Sequence, residues 1–519
     1  MKLDAGFDVT VRARRAEAAR FMIDTDRSGV GGMKNIRGLP RRRRNIAALG
    51  GLIAAFVLSG QALAGSPAVS LSQHGITWTF DDVHQVGQFI TGDYWVLGPV
   101  TITGIDPPLS ASGAGHRNGT MINAVSDRQG LDGYRHPLYG AIQYDERLNI
   151  EAGDGLPVTV EAGNSVISAI GRNEDARDQR FTPILRAVAV LTVVSEPPPA
   201  DAFRPPYTGR SKPIHRWRDV QANLSRLPDR LPVSDVPSSY DYIDRLRGPW
   251  ALLSVPGWQA RFMHASGNLP DYHREVGRLL GQSAVLVTMK THNRMEILKH
   301  LIQIGIDYHA VGQTMQGTAA QWQWPVIFAG IMLGDASMRD VYLTGDRHPD
   351  NRTRGQMHLY RLPGENRSAV ESAIVPGGEN MTTWTGDTAA WRQSTRSADC
   401  YHQEHLHPTE WSAVTERQSC PQSLHTRETY RRINSPVYAL MALAASAMGE
   451  RDRFHRSDLY FDYAERWMNE DLSTSAHDVY GDPPQHTLGN REYGSTTAGF
   501  ADRYYQHYGW TIAEGLGDN

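Results

Sequence analysis

One break organises this chain. Before about residue 195 apolar and polar side chains alternate, after about residue 230 apolar residues recur every three or four positions, and prolines crowd the interval between. A period of two belongs to strands with one buried face, and a period near 3.6 to helices with an apolar stripe. Ile76-Thr77-Trp78-Thr79-Phe80 alternates, as does Tyr94-Trp95-Val96-Leu97 running on to Val100-Thr101-Ile102-Thr103. Leu156 to Val160, Ser165 to Ile170 and Ala187 to Val194 are rich in β-branched residues. Short strands punctuated by Gly, Asp, Asn and Pro predict a β-sandwich-like or open-barrel domain over 65–200. Glu196-Pro197-Pro198-Pro199 ends it, and Arg204-Pro205-Pro206 through Pro213 predicts a stiff linker over 201–230.

Residues 231–519 read as a helical domain. Tyr272 to Met289, Arg294 to Val311, Ala319 to Gly334, Ser435 to Met448 and Ser457 to Asn469 carry wide apolar faces, and Ala498 to Tyr508 reads as a last, aromatic-rich helix. Pro436 near the start of its helix and Gly449 just past its end follow the Pro-first, Gly-last asymmetry. The periodicity lapses over 344–432, a long polar insertion of the kind that is either functional or disordered. A chain of 519 residues with this pattern is expected to be a multidomain α+β protein.

The first 64 residues read as an address. Arg41 to Arg44, the apolar run Ile46 to Leu58 and then Ala62-Leu63-Ala64 make the charged, apolar and small-residue parts of a secretory signal. The run is shorter than the ~20 residues a spanning helix needs, so no stable membrane span is expected after cleavage. Met33-Lys34 begins a conventional signal peptide, which suggests an upstream start for residues 1–32. Export to the periplasm or the extracellular space follows. These 64 residues hold 12 of the 53 basic and 5 of the 56 acidic residues, leaving 41 against 51, or about ten negative charges. That balance disfavours nucleic acid, whose binding is dominated by phosphate neutralisation.

Two places could carry chemistry. Cys400-Tyr401-His402-Gln403-Glu404-His405-Leu406-His407 gathers three imidazoles. His402, His405 and His407 are candidate ligands for a divalent metal, zinc or calcium, or else face solvent from a polar loop. In an oxidising compartment Cys400 and Cys420, the two cysteines, are expected to pair and close that loop. The second place is Asp307-Tyr308-His309, at the end of an apolar helix. Tyr308 and His309, with His402, are candidate proton-transfer groups; core packing is the other reading of the first two. Asn293 and Arg294 could neutralise a substrate carboxylate or serve as ordinary caps. Trp322, Trp324, Trp411 and the pair Tyr504-Tyr505 offer flat faces for sugar rings or for a core. No Walker A loop, dinucleotide-binding glycine fingerprint, HExxH or G-x-S-x-G elbow occurs.

The run Ile302-Gln303-Ile304-Gly305-Ile306-Asp307-Tyr308, followed by Trp324-Pro325-Val326-Ile327-Phe328-Ala329-Gly330 and Leu333-Gly334-Asp335, resembles a segment of large secreted bacterial proteins. Those proteins join β modules to a helical domain similar to the α/α toroids of polysaccharide lyases. The resemblance spans about 35 residues and implies an α/α-toroid-like helical domain and β-elimination of a uronate-containing polysaccharide. A glycoside hydrolase is the alternative, needing two facing carboxylates from among Asp307, Asp335, Glu404 and Glu410. A noncatalytic glycan-binding protein is another. Oligomeric state is not legible.

Overall fold

The computed structural model describes residues 65–112, 115–124, 128–136, 140–141, 143–153, 155–173, 184–247, 270–314, 323–340, 382–385, 388–391, 439–454 and 498–512, with positions 461, 464, 465 and 468. The expected export signal and most of the 344–432 insertion lie outside them. All described residues belong to the compact unit Gly60–Asn519.

The fold is mixed α+β, a curled sheet followed by helices. The strands of the large sheet are β1 (Ser66–Gln73), β2 (Ile76–Gln88), β3 (Tyr94–Leu97), β4 (Val100–Asp106), β5 (Thr120–Ile122), β6 (Val158–Val160), β7 (Asn164–Gly171) and β8 (Leu185–Val194); three small hairpins lie apart from it among the described residues. They form one sheet in the order β6-β4-β2-β3-β8-β7-β5, with β1 beside β2. Every pairing is antiparallel except β8 with β3. His74 and Gly75, both at positive φ, make the two-residue turn between β1 and β2, as the right-handed twist of a hairpin requires. Besides β1, the long β2 serves two further neighbours: Thr77–Phe80 pairs with β4, and Val86–Gln88 with β3. A bulge at Thr79/Phe80 sharpens the twist, and the sheet curls into a half-barrel.

The curl encloses Trp78, Phe80, Val96, Ile102, Val166, Leu191 and Val193. Trp78 is fully buried, and its Nε1–H donates to Ser168 Oγ at 2.9 Å. Ser168 Oγ also lies 2.8 Å from Thr120 Oγ1, so a hydrogen-bonded chain crosses the interior from β2 to β7 and β5. On the opposite face Ile167, Ala169, Val188 and Val190 enter a second core, shared with the helices. Strand β8 is therefore apolar on both faces, which is why Ala187–Val194 is nearly continuous hydrophobic sequence rather than alternating.

Among the described residues the continuous α-helices are α1 (Trp217–Ala222), α2 (Ser239–Leu246), α3 (Pro270–Leu286), α4 (Arg294–Thr314), α5 (Gln323–Leu333), α6 (Ala336–Arg339), α7 (439–447), α8 (Arg451–Phe454) and α9 (Ala498–Tyr508). Helices α4 and α5 approach so closely at Gly305 that an added Cβ would run into the Pro325 carbonyl oxygen and lie 2.5 Å from Ala329 Cβ. The proline-rich stretch read as a linker is packed into this body. Ala202, Phe203 and Arg204 are fully buried, Tyr207 nearly so, and the segment doubles back through Phe203 N–H to His215 O at 2.9 Å. Prolines help here, because each lacks an N–H that burial would otherwise leave needing an acceptor. Among the described residues no helix is long and apolar enough to cross a membrane.

Candidate functional site

Helix α4 runs through the shared core, and its later turns carry Gln303, Asp307, Tyr308 and His309 toward the doubled-back segment. Arg204 meets it there. The guanidinium donates from Nη1 to Asp307 Oδ1 at 3.0 Å, from Nη2 to Asp307 Oδ2 at 2.5 Å, and from Nε to Asp93 Oδ2 at 3.0 Å. Gln303 Nε2 donates to the Arg204 carbonyl at 3.0 Å, and the Tyr207 ring centroid lies 5.7 Å from the guanidinium carbon. One buried cation thus joins the β2–β3 turn to helix α4 through two buried carboxylates. Burial raises both acids, but the charge and hydrogen bond of Arg204, with the Thr91 hydroxyl, carry Asp93 below the usual carboxylate range. For Asp307 burial prevails over Arg204 and lifts it to about 6.

Half-buried Lys212 lies at the margin of this triad. Its Nζ donates to the carbonyls of Pro206 at 2.7 Å and Thr208 at 3.4 Å. Burial, with the repulsion of Arg204, brings it down to about 7.

Two residues beyond Asp307, His309 shares a neighbourhood with His215 and Asp335. Gly334, at positive φ, ends α5, and Asp335 immediately caps α6. Asp335 Oδ1 accepts from the Ser337 amide at 2.8 Å and its hydroxyl at 2.6 Å. The second oxygen, Oδ2, is 3.9 Å from His215 Nδ1. Burial disfavours the charged form of Asp335, yet the Ser337 hydrogen bonds and the facing His215 keep it below the usual range. Burial lowers both His215 and His309 against the pull of the Asp335 charge. Two imidazoles held neutral beside an ionised carboxylate can accept a proton near neutral pH, and the carboxylate steadies the imidazolium that forms.

The other residues singled out from the sequence have separate positions. Tyr308 is buried, and burial raises its phenol well above the ordinary value. Arg294 spends its guanidinium internally, on Val287 O at 2.8 Å, on Asp229 Oδ1 at 2.6 Å and on Pro228 O. Asn293 opens α4 at a φ of 59°, its carbonyl accepting the Glu296 and Ile297 amides. Trp324 is fully buried between Phe328 and Phe454, with ring centroids 4.6 and 5.6 Å away, and belongs to the core. Tyr504 is buried as well, and its hydroxyl meets Thr288 Oγ1 at 2.7 Å. His402, His405, His407, Trp322, Trp411, Cys400 and Cys420 lie outside the described residues, as do Glu404 and Glu410. Among the described residues no group of three or more His, Cys, Asp and Glu side chains is placed to hold a metal.

Sequence reasoning passed over Arg204, Lys212 and His215, because a proline-rich stretch reads as exposed connection. The sequence Phe203-Arg204-Pro205-Pro206-Tyr207 held one signal, aromatic residues flanking an arginine, which suits a packed wedge better than a free tether. No protein family, curated protein or solved structure matches this chain.

Proposed function

We propose that the protein is an exported carbohydrate-active enzyme, a polysaccharide lyase that cleaves a uronate-containing glycan by β-elimination. The observation that carries this reading is the convergence of His309, His215 and Asp335 from a helix, the proline-rich segment and a helix cap. Proton abstraction next to a carboxylate needs a base that is neutral at working pH, and burial supplies one in His309. In this mechanism His309 removes the C–H proton adjacent to the uronate carboxylate. The freed electron pair forms the double bond, and the glycosidic C–O bond breaks. The imidazolium of His309, steadied by Asp335, then protonates the departing oxygen. The finer architecture proposed with it is a β-sandwich-like front and an α/α-toroid-like back, in keeping with the curled sheet and the helices that follow it. A hydrolase has less support, because Asp307 is sealed against Arg204 and Asp335 caps a helix.

The test incubates Gly65–Asn519 and its His309→Gln variant with a panel of uronate polysaccharides. Ultraviolet absorbance of an unsaturated product should rise for the wild type. The variant should be slower by about 10²–10⁴, the usual contribution of a positioned acid–base group. New reducing ends without absorbance would replace the lyase reading by a hydrolase. No product with any member of the panel would count against both.

A further inference from the structure

The proline-rich segment reaches α4 at two points. At the first, Arg204 grips Asp307 with both Nη atoms. At the second, His215 faces His309, which stands two residues further along the same helix and feels the charges of His215 and Asp335. One backbone bond ties the two points together: the amide of Phe203, next to Arg204, donates to the His215 carbonyl at 2.9 Å. Whatever moves Arg204 along α4 therefore moves His215 with it.

The clamp is fixed at both ends. Arg204 Nε donates to Asp93 Oδ2 at 3.0 Å, and Asp93 accepts further from Thr91 Oγ1 at 3.0 Å and Gln73 Nε2 at 3.1 Å. Arg204 Nη1 also donates to the Pro205 carbonyl at 2.9 Å, and Gln303, one turn before Asp307, donates to the Arg204 carbonyl at 3.0 Å. The excursion from Pro205 to Ile214 is pinned as well. Ala124 donates its amide to Tyr207 O at 3.2 Å and accepts from the Gly209 amide at 3.3 Å, while Lys212 Nζ bonds the Pro206 and Thr208 carbonyls. Pro205, Pro206 and Pro213 each fix one backbone angle, so little freedom is left between the clamp and His215. A planar guanidinium with its donors in a rigid fork holds Asp307 at both oxygens and Asp93 at the same time. The single ammonium of a lysine cannot reproduce that geometry.

The charged groups that face the two histidines are Asp335 at the α6 cap, with Arg339 beyond it, and Asp219 on α1. Acid–base groups work only when held to about 0.5 Å, which an irregular segment achieves when it is anchored. We propose that Arg204 is a positioning residue for the His215–His309 pair: its two-pronged hold on Asp307 fixes the register of the proline-rich segment on α4 and keeps both imidazoles beside Asp335. Arg204 is sealed from solvent and meets no substrate, so it acts through His215. The catalytic meaning of the pair rests on the lyase reading; the clamp itself does not.

Nuclear magnetic resonance of histidine-labelled Gly65–Asn519 tests this without any substrate, by following the titration midpoint of His309. In the wild-type background His215→Gln should raise that midpoint by about 0.5 unit, because a competing positive charge is removed. With Arg204→Lys also present, the same substitution should move it by less than about 0.2 unit, since the pair has parted. Asp307→Asn keeps the side-chain shape but loses the two-pronged grip; it should erase the coupling likewise, and it decides the matter where circular dichroism shows Arg204→Lys unfolded. Trp78→Phe, in the interior of the sheet, lowers stability without touching the clamp and should leave the coupling whole. A coupling that survives in the folded clamp variants, or that Trp78→Phe removes equally, overturns the positioning role. No shift in the wild-type background overturns it outright. Unsaturated product from the uronate panel is scored separately. Coupling lost with the clamp, but no product from the wild type, sustains the positioning role and removes the lyase reading; product with coupling untouched does the reverse.

Discussion

Arg204 shows how much rests on one side chain. It has no exposed surface, and it is the positive partner shared by two buried carboxylates on different elements. Removing one partner from a buried ionic group is costly, because the remaining charge has neither water nor counterion. Arg204→Met is expected to lower stability by about 3–5 kcal/mol at pH 8, read from urea unfolding. The pH dependence follows from Asp307. Its folded-state affinity for a proton, pushed up to about 6 by burial, exceeds that of an unfolded carboxylate. The associated stability is complete below the unfolded carboxylate's pKa and is lost as pH rises through about 6. The Arg204→Met penalty should accordingly shrink between pH 7 and pH 5, where Asp307 regains its proton. A penalty that stays level or grows on acidification would contradict this account. None of it is legible locally, since the residues around Asp307 do not name a partner some hundred residues away.

At the scale of elements, the α4–α5 crossing sets where His309 and Asp335 stand, since the first belongs to α4 and the second follows α5. Gly305 permits that crossing by presenting no Cβ to the Pro325 carbonyl. Gly305→Ala should cost about 1–3 kcal/mol through overpacking, despite the better helix propensity of alanine. Gly104→Ala in β4 is the control. Its Cβ would meet Thr79 Cβ at an ordinary 3.6 Å with no positive φ, so the midpoint should barely move. Thermal unfolding of the pair checks both. Strands and helices themselves were largely readable. Alternation located β2 to β4, and three- and four-residue spacing located α4, because burial of one face leaves a periodic mark. The crossing was not readable, since a glycine inside an apolar helix signals close approach without saying to what.

At the scale of the molecule, the sheet's outer face, the proline-rich segment and the helices share one apolar core. Ile167 and Val190 from the sheet, Phe203 and Tyr207 from the segment, and Leu301 and Val326 from the helices all belong to it. Elements that bury the same surface lose it together, so unfolding of Gly65–Asn519 should be a single cooperative transition. Tryptophan fluorescence and far-ultraviolet circular dichroism should give coincident midpoints in urea. Two separated midpoints would mean that the sheet and the helices unfold independently.

The sequence by itself determined where β2 to β4, β8 and α4 lie, because periodicity and turn chemistry are local consequences of having a buried face. Tertiary structure alone decided that the proline-rich stretch is core rather than tether. It alone brought His215 and Asp335 to His309, turned Arg294 and Trp324 inward, and set Arg204 between two acids. Those outcomes depend on which distant surfaces meet and on how far each charge is taken from water. Neither quantity leaves a pattern in the residues on either side.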